Sequence, residues 1–268
     1  MISENSKYLI LFSGGYLAAR LFLPSFFLIL SEFGALKKNW QGVFIPGMAG
    51  LAFPLIIGMV SMPILILGLL EPSEYVFLLA ILLISLLGLL DDFLGDTGPK
   101  GLKGHFTYSW QQRRLTTGII KAIGTGMVAL GIVFYLKLGV LEWLLLTLAV
   151  NTINLLDLRP GRAIKGTGLL LVLALFFSLQ NYWLICITSG ILIAYARYDL
   201  HGLVMLGDTG SNALGMITGL VLLQAPYLIK VLLVIFLSIF HVLAEKYSFS
   251  VIIERYTLLR RIDQWGQR

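Results

Sequence analysis

The sequence predicts an all-α fold, a polytopic bundle of about nine transmembrane helices with the N-terminus outside and the C-terminus cytoplasmic. Three observations carry this prediction. First, of 268 residues 58% are hydrophobic and only 13% charged, with a mean hydropathy of +0.89, which leaves too little polar surface for a soluble domain. Second, the apolar residues form long runs separated by short polar clusters. Third, basic residues sort to alternate loops. One set holds Lys37, Lys38, Lys100, Lys103, Arg113, Arg114, Arg159, Arg162, Lys165 and Arg197, joined by Lys246, Arg255, Arg260, Arg261 and Arg268; the other holds Lys7, Lys137 and Lys230. The positive-inside rule makes the first set cytoplasmic.

A crossing helix needs roughly 20 apolar residues, and the runs that approach this are 8–31, 44–70, 75–91, 116–136, 141–158, 167–180, 183–197, 211–224 and 227–246. An odd number of spans agrees with termini on opposite sides. The opening residues MISENSKYLI lack the basic region and cleavage site of a signal peptide, so the first span is expected to be retained. Pro46, Pro54 and Pro63 punctuate the second run, and Pro54 and Pro63 predict a bent packing helix. Residues 1–247 read as one transmembrane domain and 248–268 as a cytoplasmic tail, basic and amphipathic. The lone Cys186 excludes a disulfide framework. The +6 charge has a topological explanation, so nucleic acid is not an expected partner.

Chemistry gathers on the cytoplasmic side in four clusters. NWQGVFIPGMAG at 39–50 follows the basic pair Lys37 and Lys38. The run that ends LLGLLDDFLGD carries the adjacent carboxylates Asp91 and Asp92, then Asp96, a basic loop, and Lys121 one turn inside the next span. Adjacent carboxylates repel, and a divalent cation or a nearby Lys or Arg relieves that repulsion. Asn151, Asn154 and Asp157, spaced i, i+3 and i+6, lie along one helical stripe ahead of Pro160 and Gly161. Arg159, Arg162 and Lys165 follow, with charge suited to a diphosphate. In LGDTGSNALG at 206–215, Asp208 sits in a glycine-flanked turn, with Ser211 placed to cap the next helix. Carboxylates from three loops and cations from several thus predict a Mg²⁺-dependent phosphate-handling site at the membrane surface.

These residues resemble the polyprenyl-phosphate N-acetylhexosamine-1-phosphate transferase superfamily, glycosyltransferase family 4, which includes phospho-N-acetylmuramoyl-pentapeptide transferase. Asn39-x-x-Gly42-x-x-Ile45-Pro46 with Gly50, Gly88-Leu89-Leu90-Asp91-Asp92, Lys121, Asn151-x-x-Asn154-Leu155-x-Asp157 and Gly207-Asp208-x-Gly210-Ser211-x-x-Leu214-Gly215 occur in the family's order. The resemblance implies transfer of a sugar 1-phosphate from a UDP-sugar to undecaprenyl (polyprenyl) phosphate, with release of UMP, at the cytoplasmic face of a bacterial plasma membrane. It implies Asp208 as a Mg²⁺ ligand and catalytic group. Asp91 or Asp92 would engage the metal or the lipid phosphate, or act as its base. Asn154 and Asp157 would meet the nucleotide, with Lys121 on a phosphate; Asn151, Lys38, Arg159, Arg162 and Lys165 complete the expected substrate-binding set. A homodimer is compatible with the sequence.

The chain departs from the family pattern in places. Leu158 and Pro160 stand where the family carries Gly and a further Asp, and the histidine-rich loop near the C-terminus is replaced by SFSVIIERYTLLRRIDQWGQR. His105, His201 and His241 do not rebuild it. Two other readings therefore stand beside the transferase: a catalytically reduced relative that binds polyprenyl phosphate or scaffolds an envelope enzyme, and a transporter of a polyprenyl-linked species. The transporter lacks the internal repeat that many such folds show.

Overall fold

The computed structural model describes residues 4–68, 71–94, 116–177, 181–247 and 249–267. Among them are eleven α-helices. They are α1 (Glu4–Glu32), α2 (Ala52–Ile66), α3 (Pro72–Leu94), α4 (Thr117–Tyr135), α5 (Val140–Leu156), α6 (Arg162–Ala174), α7 (Tyr182–Leu200), α8 (Gly207–Leu222), α9 (Tyr227–Lys246), α10 (Phe249–Arg255) and α11 (Thr257–Gln264). Six stretches, covering α1, α2 with the turn before it, α3, α4, α7 and α9, are long and apolar enough to cross a membrane; α5 is a shorter apolar helix. Large apolar side chains point outward from these helices, Phe134 at 86% exposure and Leu21 at 79%. Such exposure suits lipid and not water.

Each predicted span contains a helix, and the limits of the last one, 227–246, coincide with α9. The second span needs correction. Residues 36–46 form a two-stranded antiparallel hairpin, β1 (Leu36–Lys38) and β2 (Phe44–Pro46), with Leu36 opposite Pro46. A single 3₁₀ turn at Ala49–Leu51 precedes α2. Pro46 has no N–H to continue a helix, and Met48 sits in the left-handed region at φ 55°. Helical pairing therefore starts only at Ala49. Pro54 then falls in the first turn of α2, where a missing N–H costs nothing, and Pro63 is the internal one.

The organising element is α8. Every residue from Thr209 to Leu222 is buried, because α3, α5, α6 and the turn before α2 all pack on it. Its sequence GDTGSNALGMITGLVL supplies the small side chains that such crowding needs. A methyl group placed on Gly210 would lie 2.4 Å from the Gly50 Cα, so the two backbones touch there. A second pairing runs along α1 and α7, with Phe27 edge-on to Tyr195 and Tyr198.

Because successive helices alternate direction, the loops sort to two ends. At one end Met205 N–H donates to Pro46 O, and Asp92, Lys121 and Asp208 meet. At the other Lys230 pairs with Glu142, and Asn181 Nδ2 donates to Leu220 O at 3.1 Å. The first is the carboxylate end. Asp96, Lys100, Lys103, Arg113 and Arg114 of the expected basic loop lie outside the described residues.

Candidate functional site

Among the described residues the two adjacent carboxylates meet no side chain in common, although Asp208 serves both, with its carboxyl against Asp91 and its N–H on Asp92. Helix α3 runs on to Leu94, so Asp91 and Asp92 occupy its last turns instead of standing beyond it. Neighbouring helical residues point about 100° apart. Asp91 therefore turns toward α4 and Asp92 toward α8.

Asp92 is 7% exposed and is spoken for by the fold. Its Oδ2 accepts from Thr209 N–H at 2.9 Å and from the Thr209 hydroxyl at 2.6 Å, while Oδ1 accepts from Asp208 N–H at 3.2 Å. These are first-turn N–H groups of α8, so Asp92 caps that helix from another segment of chain and faces the positive end of its dipole. The expectation that Ser211 caps this helix is corrected. The helix begins at Gly207, and the Ser211 hydroxyl lies against the Asn154 side chain, 2.9 Å away. Gly207 is required at the start, since its φ of 73° is left-handed and a Cβ there would meet Asp92 Oδ2 at 2.7 Å. Gly88 does a different job, letting α3 approach until the Asp208 carbonyl oxygen is 2.3 Å from where its Cβ would be.

Asp91 and Asp208 converge on one cation. Lys121 Nζ lies 2.7 Å from Asp91 Oδ2 and 2.5 Å from Asp208 Oδ2. Asp91 also accepts from the Thr117 side chain. Asn154 closes the group. With its amide nitrogen turned toward Asp208, the orientation that its neighbours' donors and acceptors favour, it donates to Asp208 Oδ1 at 2.7 Å and to Ser211 Oγ at 2.9 Å, and its oxygen accepts from Lys121 Nζ at 3.3 Å. Asp91, Lys121, Asn154 and Asp208 thus come from four helices to one point.

Asp157 caps the C-terminus of α5, one step beyond the helix. It accepts from Gly207 N–H, and burial followed by the charges of Asp199, Asp208 and Asp92 drives its carboxyl well above the ordinary carboxylate range. Asn151 lies one turn before Asn154 on α5, half-buried. Asp199, near the end of α7 and buried, was not expected at the site; its Oδ2 accepts from Gly161 N–H at 2.7 Å and so starts α6. A cavity of about 50 Å³ opens beside Asp157 and Asp199, with Asn39, Trp40 and Arg159 on its wall.

The remaining expected cations are placed elsewhere. In the hairpin Lys37 and Lys38 point to opposite faces, as strand residues must. Lys37, not Lys38, reaches the acids, with Nζ 3.4 Å from Asp92 Oδ1. The Lys38 ammonium lies over the Phe44 ring, 5.2 Å from its centre. Arg159 stacks on Trp40 at 4.4 Å and pairs with Glu254 at 3.5 Å. Arg162 grips both Asp263 oxygens, at 2.6 and 2.8 Å, and donates to Ser250 Oγ at 2.9 Å. Lys165 Nζ donates to the carbonyls of Ile262 and Asp263 at 3.1 and 2.6 Å. The tail is therefore docked on this loop. A signal for it was in the sequence, since Asp263 is the only carboxylate among the arginines from 255 to 261 and the residues that follow them.

For a Mg²⁺ ion the fit rests on two carboxylates. Among the described residues no three His, Cys, Asp or Glu side chains gather as a metal cluster. Mg²⁺ needs no such cage, because it keeps several waters and is held by one or two carboxylates together with substrate phosphates. Asp91 and Asp208, already converging on a positive charge, meet that requirement. No family model matches the chain, and no curated protein matches it.

Proposed function

We propose that this protein transfers an N-acetylhexosamine 1-phosphate from a UDP-sugar to undecaprenyl phosphate, releasing UMP, at the cytoplasmic face of a bacterial plasma membrane during cell-envelope glycan synthesis. One observation carries the reading: Asp91 and Asp208, 117 residues apart in sequence, face each other across Lys121, with Asn154 bonded to both Asp208 and Lys121. The ordered motifs described above give the chemistry its class.

In this reading an oxygen of the lipid phosphate attacks the phosphorus that bears the sugar. The bond from that phosphorus to the bridging oxygen breaks, and UMP leaves with the bonding pair. The sugar keeps its own C–O bond, and a lipid diphosphate sugar forms. Such a transfer depends on positioning and on neutralising charge more than on covalent help from the protein. Asp91 and Asp208 would hold Mg²⁺, which when bound neutralises developing charge on the diphosphate. Lys121 would bind a phosphate oxygen, and Asn154 keeps Asp208 and Lys121 in register. Asp92 is assigned to holding the N-terminus of α8, and through it Asp208, in place. Asn154 and Asp157 would meet the nucleotide.

The experiment is UMP release in detergent with Mg²⁺, undecaprenyl phosphate and a panel of UDP-N-acetylhexosamines. The expected result is turnover with at least one sugar, abolished in Asp208→Asn. UMP no higher than in that variant across the panel would sink the transferase. A polyprenyl-phosphate-binding relative without turnover is the second reading, favoured by the engagement of Arg159, Arg162 and Lys165 with Trp40 and the tail. Lipid binding without UMP would select it.

A further inference from the structure

The tail makes two kinds of contact on two of its sides. Toward the bundle, Asp263 and the last carbonyls of α11 hold Arg162 and Lys165, and Gln267 Nε2 donates to Pro160 O at 2.6 Å. The tail also folds back on the last span, with the Phe249 ring stacked on Phe240 at 4.4 Å. Away from the bundle, Leu258, Ile262 and Trp265 recur at i, i+4 and i+7 and form one stripe, exposed at 71%, 55% and 77%. Asp263 sits about 100° round the helix from Ile262. The geometry suits a helix lying flat beside the bundle, one side on protein and the next on something apolar. Arg255, Arg260 and Arg261 are exposed along this segment, and a tryptophan closes it. Apolar stripe, flanking arginines and terminal tryptophan are what an anionic lipid interface binds.

We propose that the α10–α11 tail is a lipid-reading brace: it seats on anionic headgroups through Leu258, Ile262, Trp265 and its arginines, and when seated it holds the 157–161 loop and the first turn of α6 through Arg162 and Lys165. Apart from the tail, the loop is held by the Asp199 contact to Gly161, by Asp157 on Gly207 N–H and by Arg159 on Trp40. Zwitterionic lipid offers the arginines no net negative surface, so the tail seats less and the loop loosens. This inference stands apart from the proposed reaction, since neither observation behind it involves turnover.

The test uses the full chain in nanodiscs of phosphatidylcholine alone or with phosphatidylglycerol. Trp265 emission is isolated by subtracting the Trp265→Phe spectrum, and hydrogen exchange is followed over residues 158–165. Phosphatidylglycerol should move Trp265 emission to the blue and slow exchange in the loop. Replacing each of Arg255, Arg260 and Arg261 by Gln should lower the seated fraction ratio about fivefold. Asp263→Asn should leave Trp265 blue-shifted while loop exchange speeds up, which separates bracing from lipid seating. Equal Trp265 emission in the two lipids would overturn the proposal, and so would loop exchange indifferent to lipid. A Trp265 shift that instead tracked protein concentration would assign the stripe to a second copy and would also overturn it.

Discussion

The two ends of the bundle handle charge in opposite ways. At the end away from the carboxylates, Glu142 and Lys230 form one closed pair between α5 and α9, and Glu142 also accepts from Gly139 N–H at 3.0 Å to cap its own helix. Acid and base match there, and the contact is complete without a ligand. At the carboxylate end Asp91 and Asp208 divide a single ammonium, while Asp157 and Asp199 accept from backbone N–H groups. Among the described residues, negative charge there outruns the positive charge fixed beside it. A balanced pair joins helices; an unbalanced cluster is compatible with the cation proposed above.

The comparison can be broken most forcefully at Asp92. Asp92→Ala leaves three α8 donors without their buried acceptor, and unfolding in detergent should show a loss of about 3–5 kcal/mol. Asp91→Ala, one residue away, should lose far less, because Lys121 keeps Asp208. Next is Lys230→Met, expected to cost about 1.5–3 kcal/mol by stranding Glu142, with most of that recovered in the double variant with Glu142→Gln. If the double variant were no better than the single, the pair would not be the closed unit described. Lys121→Met should make stability depend on Mg²⁺: the variant unfolds early in chelator and regains about 2.7 kcal/mol at Mg²⁺ a hundredfold above its Kd. Wild type should respond less, since the ammonium already offsets the carboxylates.

The smallest effect concerns pH. The raised Asp157 carboxyl keeps its proton in the folded chain over a range in which the unfolded chain has lost it. Stability from this group therefore falls as pH rises from the ordinary carboxylate range through the raised value. Asp157→Asn carries no such proton, so its stability relative to wild type should climb as pH rises above the ordinary carboxylate range. The slope should stay under about 1.4 kcal/mol per pH unit, reduced further because the side chain keeps some solvent contact.

The sequence made the helices legible because long apolar runs leave the backbone no alternative in lipid. It also put Asp91, Lys121, Asn154 and Asp208 on one list, and the structure brings these four to one point. The division of labour between Asp91 and Asp92 was not legible. Adjacency in sequence suggested a shared ion, but the helix continues through both and turns them apart. Sequence alone does not separate Lys37 from Lys38, because the Gly/Pro-rich residues at 39–50 read as the start of a span and strand alternation decides which lysine reaches Asp92. Arg159, Arg162 and Lys165 looked suited to a diphosphate because their partners, Trp40, Glu254 and Asp263, are far away in sequence. Long-range pairing of this kind leaves no local pattern.

The central claim is that Asp91 and Asp208, and not Asp92, hold the divalent cation on which the site depends. Mn²⁺ binding in the presence of UDP, followed by electron paramagnetic resonance on wild type, Asp91→Asn and Asp208→Asn, tests it most directly, with Asp92→Asn as the comparison. The account predicts one bound ion in wild type and affinity at least about tenfold weaker in the first two variants, with Asp92→Asn close to wild type wherever it folds. Binding unchanged in Asp91→Asn and Asp208→Asn would contradict it.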